Sequence, residues 1–119
     1  MAPSPTLFAN IMGATMAQFD VYVNPISAAR GAYPFVVAMQ FDFARDTRDQ
    51  IVAPLAPREA MPKIRSRLTP IVTVQGSEYI ALVPELAGVR SRDLVDSSDS
   101  LASARSELLA AIDYLFFGV

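Results

Sequence analysis

The chain has no cysteine, no histidine and no tryptophan among its 119 residues. Without cysteine it can form no disulfide, no thiolate metal site and no cysteine nucleophile. Without histidine it lacks the Ser-His-Asp triad, His-ligated zinc and the commonest general base. Catalysis at neutral pH would have to rest on carboxylates, Arg, Lys, Tyr or Ser. We therefore expect a binding protein rather than an enzyme, with no cofactor and no bound metal.

Long apolar runs and a charged N-terminus are also missing. No stretch approaches the roughly 18 apolar residues of a membrane span, and residues 1–15 carry no charge, unlike the basic start of a secretory signal. We expect a cytoplasmic protein that does not contact membranes. Residues 1–15 are expected to be a poorly ordered N-terminal leader or an extension before the true start, and residues 16–119 to form the domain.

The charge is low and unevenly placed. The net charge of −2 offers no general basic footprint, so we expect no direct binding to nucleic acid by the chain alone. Residues 45–67 nevertheless carry a net charge of +3, whereas residues 78–119 carry −4. A basic middle and an acidic end can steer an acidic partner to one face.

Most of the chain has the short alternation of polar and apolar residues that is typical of β-strands. We expect proline to cut the third such segment short at residue 55 and residues 75–78 to form a hairpin turn, followed by a short edge segment around 87–89. The aromatic residues Tyr33, Phe35 and Phe41 alternate and are expected in the core. The predicted strands are 18–23, 33–41, 50–55, 70–74 and 79–83.

Near residue 100 the apolar spacing changes from two residues to three and four, which predicts a helix. Ser97, Ser98 and Ser100 are candidate N-caps. The sequence therefore predicts a mainly β, barrel-like domain with a C-terminal helix that packs on the sheet and on a second copy of itself. The expected apolar stripe is Leu101, Ala104, Leu108, Ile112 and Leu115, widened by Leu109 and Phe116.

The chain ends on Phe116-Phe117-Gly118-Val119, although chain termini are normally polar and frayed. One interpretation is that the two aromatic rings complete the core. The other is that an aromatic wedge on a flexible glycine tip inserts into a partner.

Five runs of residues, in order and at similar spacing, resemble the CcdB family of toxins from about residue 17 to the end. These runs are 18–22, 33–40 with Asp42, 51–55, 68–72 and 111–119. The resemblance implies an SH3-like barrel of the CcdB/MazF type, a homodimer, and a toxin of a toxin–antitoxin pair. Such a toxin binds the A subunit of DNA gyrase through its last three residues and traps the cleaved DNA–gyrase complex, and a CcdA-like antitoxin removes it.

Carried over by position, the resemblance makes Phe117, Gly118 and Val119 the gyrase-binding tail, with Asp113 and Phe43 as further contacts. Two residues depart from the family pattern. The usual tryptophan is Phe117, which lacks the indole donor and has a weaker π-face. The usual asparagine is Asp113, which adds a charge beside the tail.

The basic middle segment is the expected dock for an acidic antitoxin tail that folds on binding. Its expected binding residues are Arg58, Lys63, Arg65 and Arg67.

Two alternatives remain open. In the first, the chain is a CcdB-fold homologue that no longer poisons gyrase, as Phe117 and Asp113 allow. In the second, it is a MazF-like endoribonuclease. RNA cleavage would need a basic groove and a positioned acid–base pair, with arginine stabilising the charge of the transition state, and Arg45, Thr47 and Arg48 would supply part of this.

Overall fold

The structure is a computed structural model that describes residues 15–41, 43–44, 48–64 and 66–119. Within these residues it consists of nine β-strands, five short 3₁₀ turns and one α-helix. The strands are β1 Thr15–Met16, β2 Asp20–Val23, β3 Phe35–Ala38, β4 Phe43–Ala44, β5 Asp49–Pro57, β6 Ile71–Val74, β7 Ser77–Ala81, β8 Ala87–Arg90 and β9 Asp99–Ser100. The 3₁₀ turns are Ser27–Ala29, Arg58–Ala60, Val83–Glu85, Ser91–Asp93 and Ala102–Ala104, and the helix α1 is Arg105–Phe117.

Seven strands form one antiparallel sheet in the order β6-β7-β5-β3-β2-β9, and β8 pairs with the first half of β5. The long strand β5 is the centre of the sheet, since it pairs with β3 on one edge and with β7 and β8 on the other. A separate ladder joins β1 to β4, where Thr15 pairs with Ala44. The rest of the predicted leader lies outside the described residues, so its order and its boundary stay predictions.

The barrel is closed by hydrogen bonds between the β6–β7 hairpin and the start of β9. Gln75 and Gly76 form the two-residue turn with positive φ values of 49° and 83°, as a type I′ hairpin requires. The backbone N–H of Gln75 donates to Asp99 Oδ2 at 2.8 Å, and its side-chain amide donates to the carbonyl of Ser98 at 3.1 Å. The N–H groups of Gln75 and Ser100 hold the pKa of the Asp99 carboxyl below its ordinary value.

The main core lies between the inner face of the sheet and α1. Ala53 and Leu55 of β5 are fully buried there, together with Leu108 and Ala111 of the helix. A smaller apolar cluster covers the outer face of the sheet beneath Leu94, which is also fully buried. Its other members are Tyr22, Val36, Ala38 and Val52.

The predicted fold class is confirmed, since the sheet forms a nearly closed antiparallel barrel with one C-terminal helix. The hairpin predicted between the strands 70–74 and 79–83 is confirmed, although its turn is only Gln75 and Gly76 because β7 begins at Ser77. The edge segment predicted around 87–89 is confirmed as β8. The prediction that proline cuts the third strand short at residue 55 is wrong, because β5 includes Pro54 and continues to Pro57. The carbonyl of Pro54 accepts a hydrogen bond from the N–H of Leu82. The nitrogen of Pro54 lies on the same side of the strand and faces the gap between β8 and β7, where no ladder hydrogen bond needs a donor.

Two aromatic residues expected in the core lie at the surface. Phe41 is 76% exposed, because β3 ends at Ala38 and the alternation does not continue to residue 41. Phe116 is 64% exposed, whereas the buried residues of α1 are Leu108 and Ala111. The helix also begins later than expected, at Arg105, after a 3₁₀ turn in which Ser100 Oγ accepts from the N–H of Ala102.

Candidate functional site

The C-terminal tail is positioned by α1, which is anchored along one face. Leu108 and Ala111 are fully buried, and the flanking apolar residues of the same face are half-buried against the core. Leu115 of the last turn still packs against the core, whereas Phe116 and Phe117 after it are exposed at the end of the helix. The half-buried residues are Ala104, Leu109, Ile112 and Leu115.

Gly118 ends the helix in a defined conformation. Its φ of 73° lies in the left-handed region, and its N–H donates to the carbonyl of Tyr114 at 3.0 Å. A left-handed glycine after the last helical residue is a common C-cap, because it has no Cβ to clash. The tail is therefore a capped helix end rather than an extended strand.

The side chains of the tail face solvent. Phe117 is 74% exposed and Val119 is 79% exposed. Asp113 is exposed as well, and it precedes Phe117 by four residues, which places the two side chains on neighbouring turns of one helix face. Within a single chain these exposures exclude the interpretation that Phe117 completes the core.

A mostly apolar groove of about 450 Å³ lies beside the last turn of the helix. Ile112 and Phe116 form one wall, while Met39, Gln40 and Ile51 belong to the opposite one. The side chain of Gln40 is held by a hydrogen bond, since its Oε1 accepts from the N–H of Ile51 at 2.6 Å. Residues 86–88 complete the lining.

The basic residues expected to bind an antitoxin are spread over the loop between β5 and β6. Arg58 forms an ion pair with Glu78 of β7 at 2.8 Å, and Lys63 is exposed. The guanidinium of Arg67 lies over the ring of Tyr114 at 5.0 Å, which connects this loop to the helix that carries the tail. Arg65 lies outside the described residues.

Beside Arg58 is a second, more polar depression of about 750 Å³, which is also lined by Glu59 and Glu78. The two carboxylates offset the guanidinium, so this depression is not a basic pocket. The expected dock therefore has Lys63 as a free cation among the described residues, with Arg58 and Arg67 already in contact with partners inside the chain.

Other candidates are only partly described. The backbone of Phe43 pairs with that of Met16 in the β1–β4 ladder, and its side chain lies outside the described part of the chain. Arg48 is exposed, whereas Arg45 and Thr47 of the ribonuclease alternative are not described. The described residues contain no group of three or more acidic side chains that could hold a metal ion, and no described helix is long and apolar enough to span a membrane.

The sequence predicted neither the contact between Arg67 and Tyr114 nor the place of Ile51 and Phe116 in the groove. No sequence signal predicts the first, because Arg67 and Tyr114 are far apart along the chain. The other two are apolar residues in regular elements, and spacing alone does not say which apolar residue remains exposed.

No curated protein matches this chain. The family model of the CcdB protein, in contrast, matches residues 18–118, nearly the whole chain. The matched region contains the barrel, α1 and all of the tail except Val119. The chain therefore belongs to the CcdB family and has the fold of a toxin from a toxin–antitoxin pair.

Proposed function

We propose that this chain is a toxin that binds the A subunit of DNA gyrase through Phe117, Gly118 and Val119 and traps the cleaved DNA–gyrase complex. The observation that carries the proposal is the solvent exposure of Phe117 and Val119 at the end of an anchored helix, in a member of the CcdB family. Phe116, Phe117 and Val119 are exposed next to one another at the end of the helix, and a contiguous apolar patch at the surface is typical of a site that binds a partner. The toxin acts as a cytoplasmic inhibitor and catalyses no reaction.

The chemistry of the tail suits insertion into a protein. Fully burying one phenylalanine side chain contributes about 1.5–3 kcal/mol, and most of that area is still available at Phe117. The ring face also attracts an arginine of the partner. The terminal carboxylate at Val119 accepts charge-assisted hydrogen bonds.

The fixed conformation of the tail also favours binding to a partner. Because the cap of Gly118 fixes the direction of the tail, little conformational freedom is lost when the partner binds. A tail that starts from a rigid helix presents its aromatic ring at a constant angle to the barrel.

Asp113 sets the electrostatic requirement of the partner surface. Its carboxylate lies one turn before Phe117, so it approaches the same part of gyrase. A basic target surface gains an ion pair there, and an acidic one is repelled. Asp113→Asn, which restores the usual family residue, is expected to change the association rate and its salt dependence more than the fold.

We also propose that the toxin is a homodimer whose interface covers the groove beside α1. Phe116 and Ile51 expose apolar surface on both walls of this groove, at 64% and 38%. A two-fold dimer buries the same patch on both chains and presents two tails to one gyrase. Ile51→Glu should give a folded monomer in sedimentation experiments, whereas a dimer that persists would contradict this interface.

For the antitoxin, we propose an acidic, unstructured segment that docks on the loop containing Lys63 and Arg67, together with Arg58 and the undescribed Arg65. Binding through exposed cations should weaken steeply with salt. Arg67 is then shared between the antitoxin and Tyr114 of the helix, so binding there competes with a contact that the free toxin makes.

The test is a supercoiling assay with purified gyrase that compares the wild type with a chain lacking residues 117–119. The wild type is expected to inhibit supercoiling and accumulate cleaved DNA, and the truncated chain to do neither. In the full-length chain, Val119→Ser should weaken the inhibition, and Val95→Ser is its matched control, because both valines are exposed but only Val119 is in the tail. If the truncated chain inhibits as well as the wild type, the tail is not the binding element.

A second candidate function is favoured by two residues. Phe117 replaces the family's tryptophan and offers a weaker ring contact, and Asp113 replaces its asparagine, which weakens binding to an acidic surface of gyrase. In this alternative the chain retains the fold and its antitoxin but acts on another target. Wild-type protein that leaves gyrase unaffected at large excess would select this function over the first.

A further inference from the structure

We infer that the protein holds an internal hydration site between the outer face of the sheet and the 3₁₀ turn at Ser91–Asp93, in which ordered water joins the amide of Gln50 to the hydroxyl of Ser91. This inference is independent of the proposed function. It rests on three side-chain atoms that are buried without a hydrogen-bond partner: Gln50 Nε2, Gln50 Oε1 and Ser91 Oγ.

Both residues are inaccessible to bulk solvent. Gln50 is 0% exposed and Ser91 is 1% exposed. Among the described polar or charged residues, only Asn24 is also buried, and its side chain is satisfied by Tyr33 O and by the N–H of Ile26. The two unsatisfied residues are therefore an exception within this fold, and buried polar groups are nearly always paired with protein or with water.

The sheet register brings the two residues together. Gln50 lies opposite Val89 in the β5–β8 ladder, and the next bond of the ladder joins Ser91 N to the carbonyl of Arg48. Gln50 and Ser91 are thus diagonal neighbours across two strands, at a separation of about 7–8 Å between Cα atoms. A long amide side chain and one water molecule span such a distance.

The surroundings explain why the water is retained. Gln50 shares its face of β5 with Val52, which packs in the outer cluster with Leu94 and Val89. This apolar cover excludes bulk water, so the polar atoms can be satisfied only by a molecule held inside. Buried waters make about three hydrogen bonds, and the three unpaired atoms provide the necessary donors and acceptors.

The site has a structural role in this fold. The turn at Ser91–Asp93 is followed by Leu94, a buried residue of the outer apolar cluster. The chain then reaches Asp99, which accepts the hydrogen bond from the N–H of Gln75 in the β6–β7 turn. Water between Gln50 and Ser91 fastens the first residue of this connection to the central strand.

The direct test is solution NMR of the full chain, measuring magnetisation transfer from long-lived water to the side-chain amide protons of Gln50. We expect transfer to Gln50 and none to the exposed side-chain amide of Gln75, which bonds to Ser98 and serves as the internal control. The absence of transfer to Gln50 in the folded wild type would overturn the inference. A crystal structure in which Gln50 Nε2 donates directly to Ser91 Oγ would do the same.

A stability cycle gives an independent test. Ser91→Ala should lower the melting temperature, because it removes one partner of the water and leaves Gln50 less well satisfied. Adding Gln50→Met, of similar volume, should recover most of that loss, since an apolar pair needs no water. Losses that simply add in the double variant would contradict a shared site.

Discussion

Truncating Leu108 and Phe117 separately distinguishes the part of α1 that holds the helix on the barrel from the part that is available to a partner. The two residues lie on the same helix, nine positions apart, and differ in burial. Leu108 is fully buried in the main core, and Phe117 is 74% exposed. We expect Leu108→Ala to destabilise the protein strongly and Phe117→Ala to leave its stability almost unchanged.

The magnitude for Leu108 follows from its burial. Leu→Ala removes about three carbon groups, which at about 0.8 kcal/mol each amounts to roughly 2.4 kcal/mol of lost transfer free energy. The cavity that remains between the helix and the sheet adds to this, so the expected loss is about 3–5 kcal/mol. For Phe117→Ala, surface substitutions usually stay within about 0.5 kcal/mol, and the better helix propensity of alanine offsets part of any lost contact.

The assay is urea unfolding followed by circular dichroism at one fixed protein concentration, since the stability of a dimer depends on concentration. Leu109→Ala is the matched control, because Leu109 is the same residue type on the same turn but is only half-buried. Its loss should fall between the other two. A loss for Phe117→Ala as large as that for Leu108→Ala would refute the reasoning, because it would make Phe117 a core residue.

Two further predictions concern the ends of the barrel and of the helix. Asp99→Asn should be less stable than the wild type at pH 7, and this deficit should shrink below about pH 4. The reason is that a carboxyl whose pKa is lowered in the folded state stabilises the fold above its unfolded pKa and loses that effect as the pH falls. Thermal melts across this pH range measure the deficit, and a deficit that is constant with pH would argue against the hydrogen bond to Gln75. Gly118→Ala should cost about 1 kcal/mol because its φ of 73° is strained for any residue with a Cβ, and Gly118→Asn should cost less. Equal melting temperatures for the wild type and Gly118→Ala would mean that the cap is not formed in solution.

The elements that local chemistry determines could be predicted from the sequence. The hairpin around Gln75–Gly76 has alternating strands on both sides and a glycine where a positive φ is needed, so its position follows from the residues themselves. The C-terminal helix follows from its three- and four-residue apolar spacing. Leu108 is buried as that spacing predicts.

The errors have a common physical cause, which is that tertiary pairing decides them. Pro54 looks like a strand end in isolation, and only the arrangement of β7 and β8 around β5 shows that its missing donor is harmless. Phe41 and Phe116 look like core residues because they are aromatic and follow apolar spacing. Whether such a residue points into one chain or towards a second protein is not encoded in its own neighbourhood along the sequence.

The candidate site was predictable in one respect only. The tail of Phe117, Gly118 and Val119 stands out in the sequence as an apolar terminus, and it is exposed in the structure. The contact between Arg67 and Tyr114, and the groove shared by Ile51 and Phe116, depend on long-range packing and were not predictable.

We propose that the exposed aromatic tail traps gyrase on cleaved DNA. This proposal is tested most directly by a DNA-cleavage assay with gyrase that compares the wild type, Phe117→Ala and Phe117→Trp at equal concentrations of folded protein. Cleaved DNA is expected with the wild type, more with Phe117→Trp because of its larger π-face and indole donor, and none above background with Phe117→Ala. Equal amounts of cleaved DNA with all three proteins would contradict it.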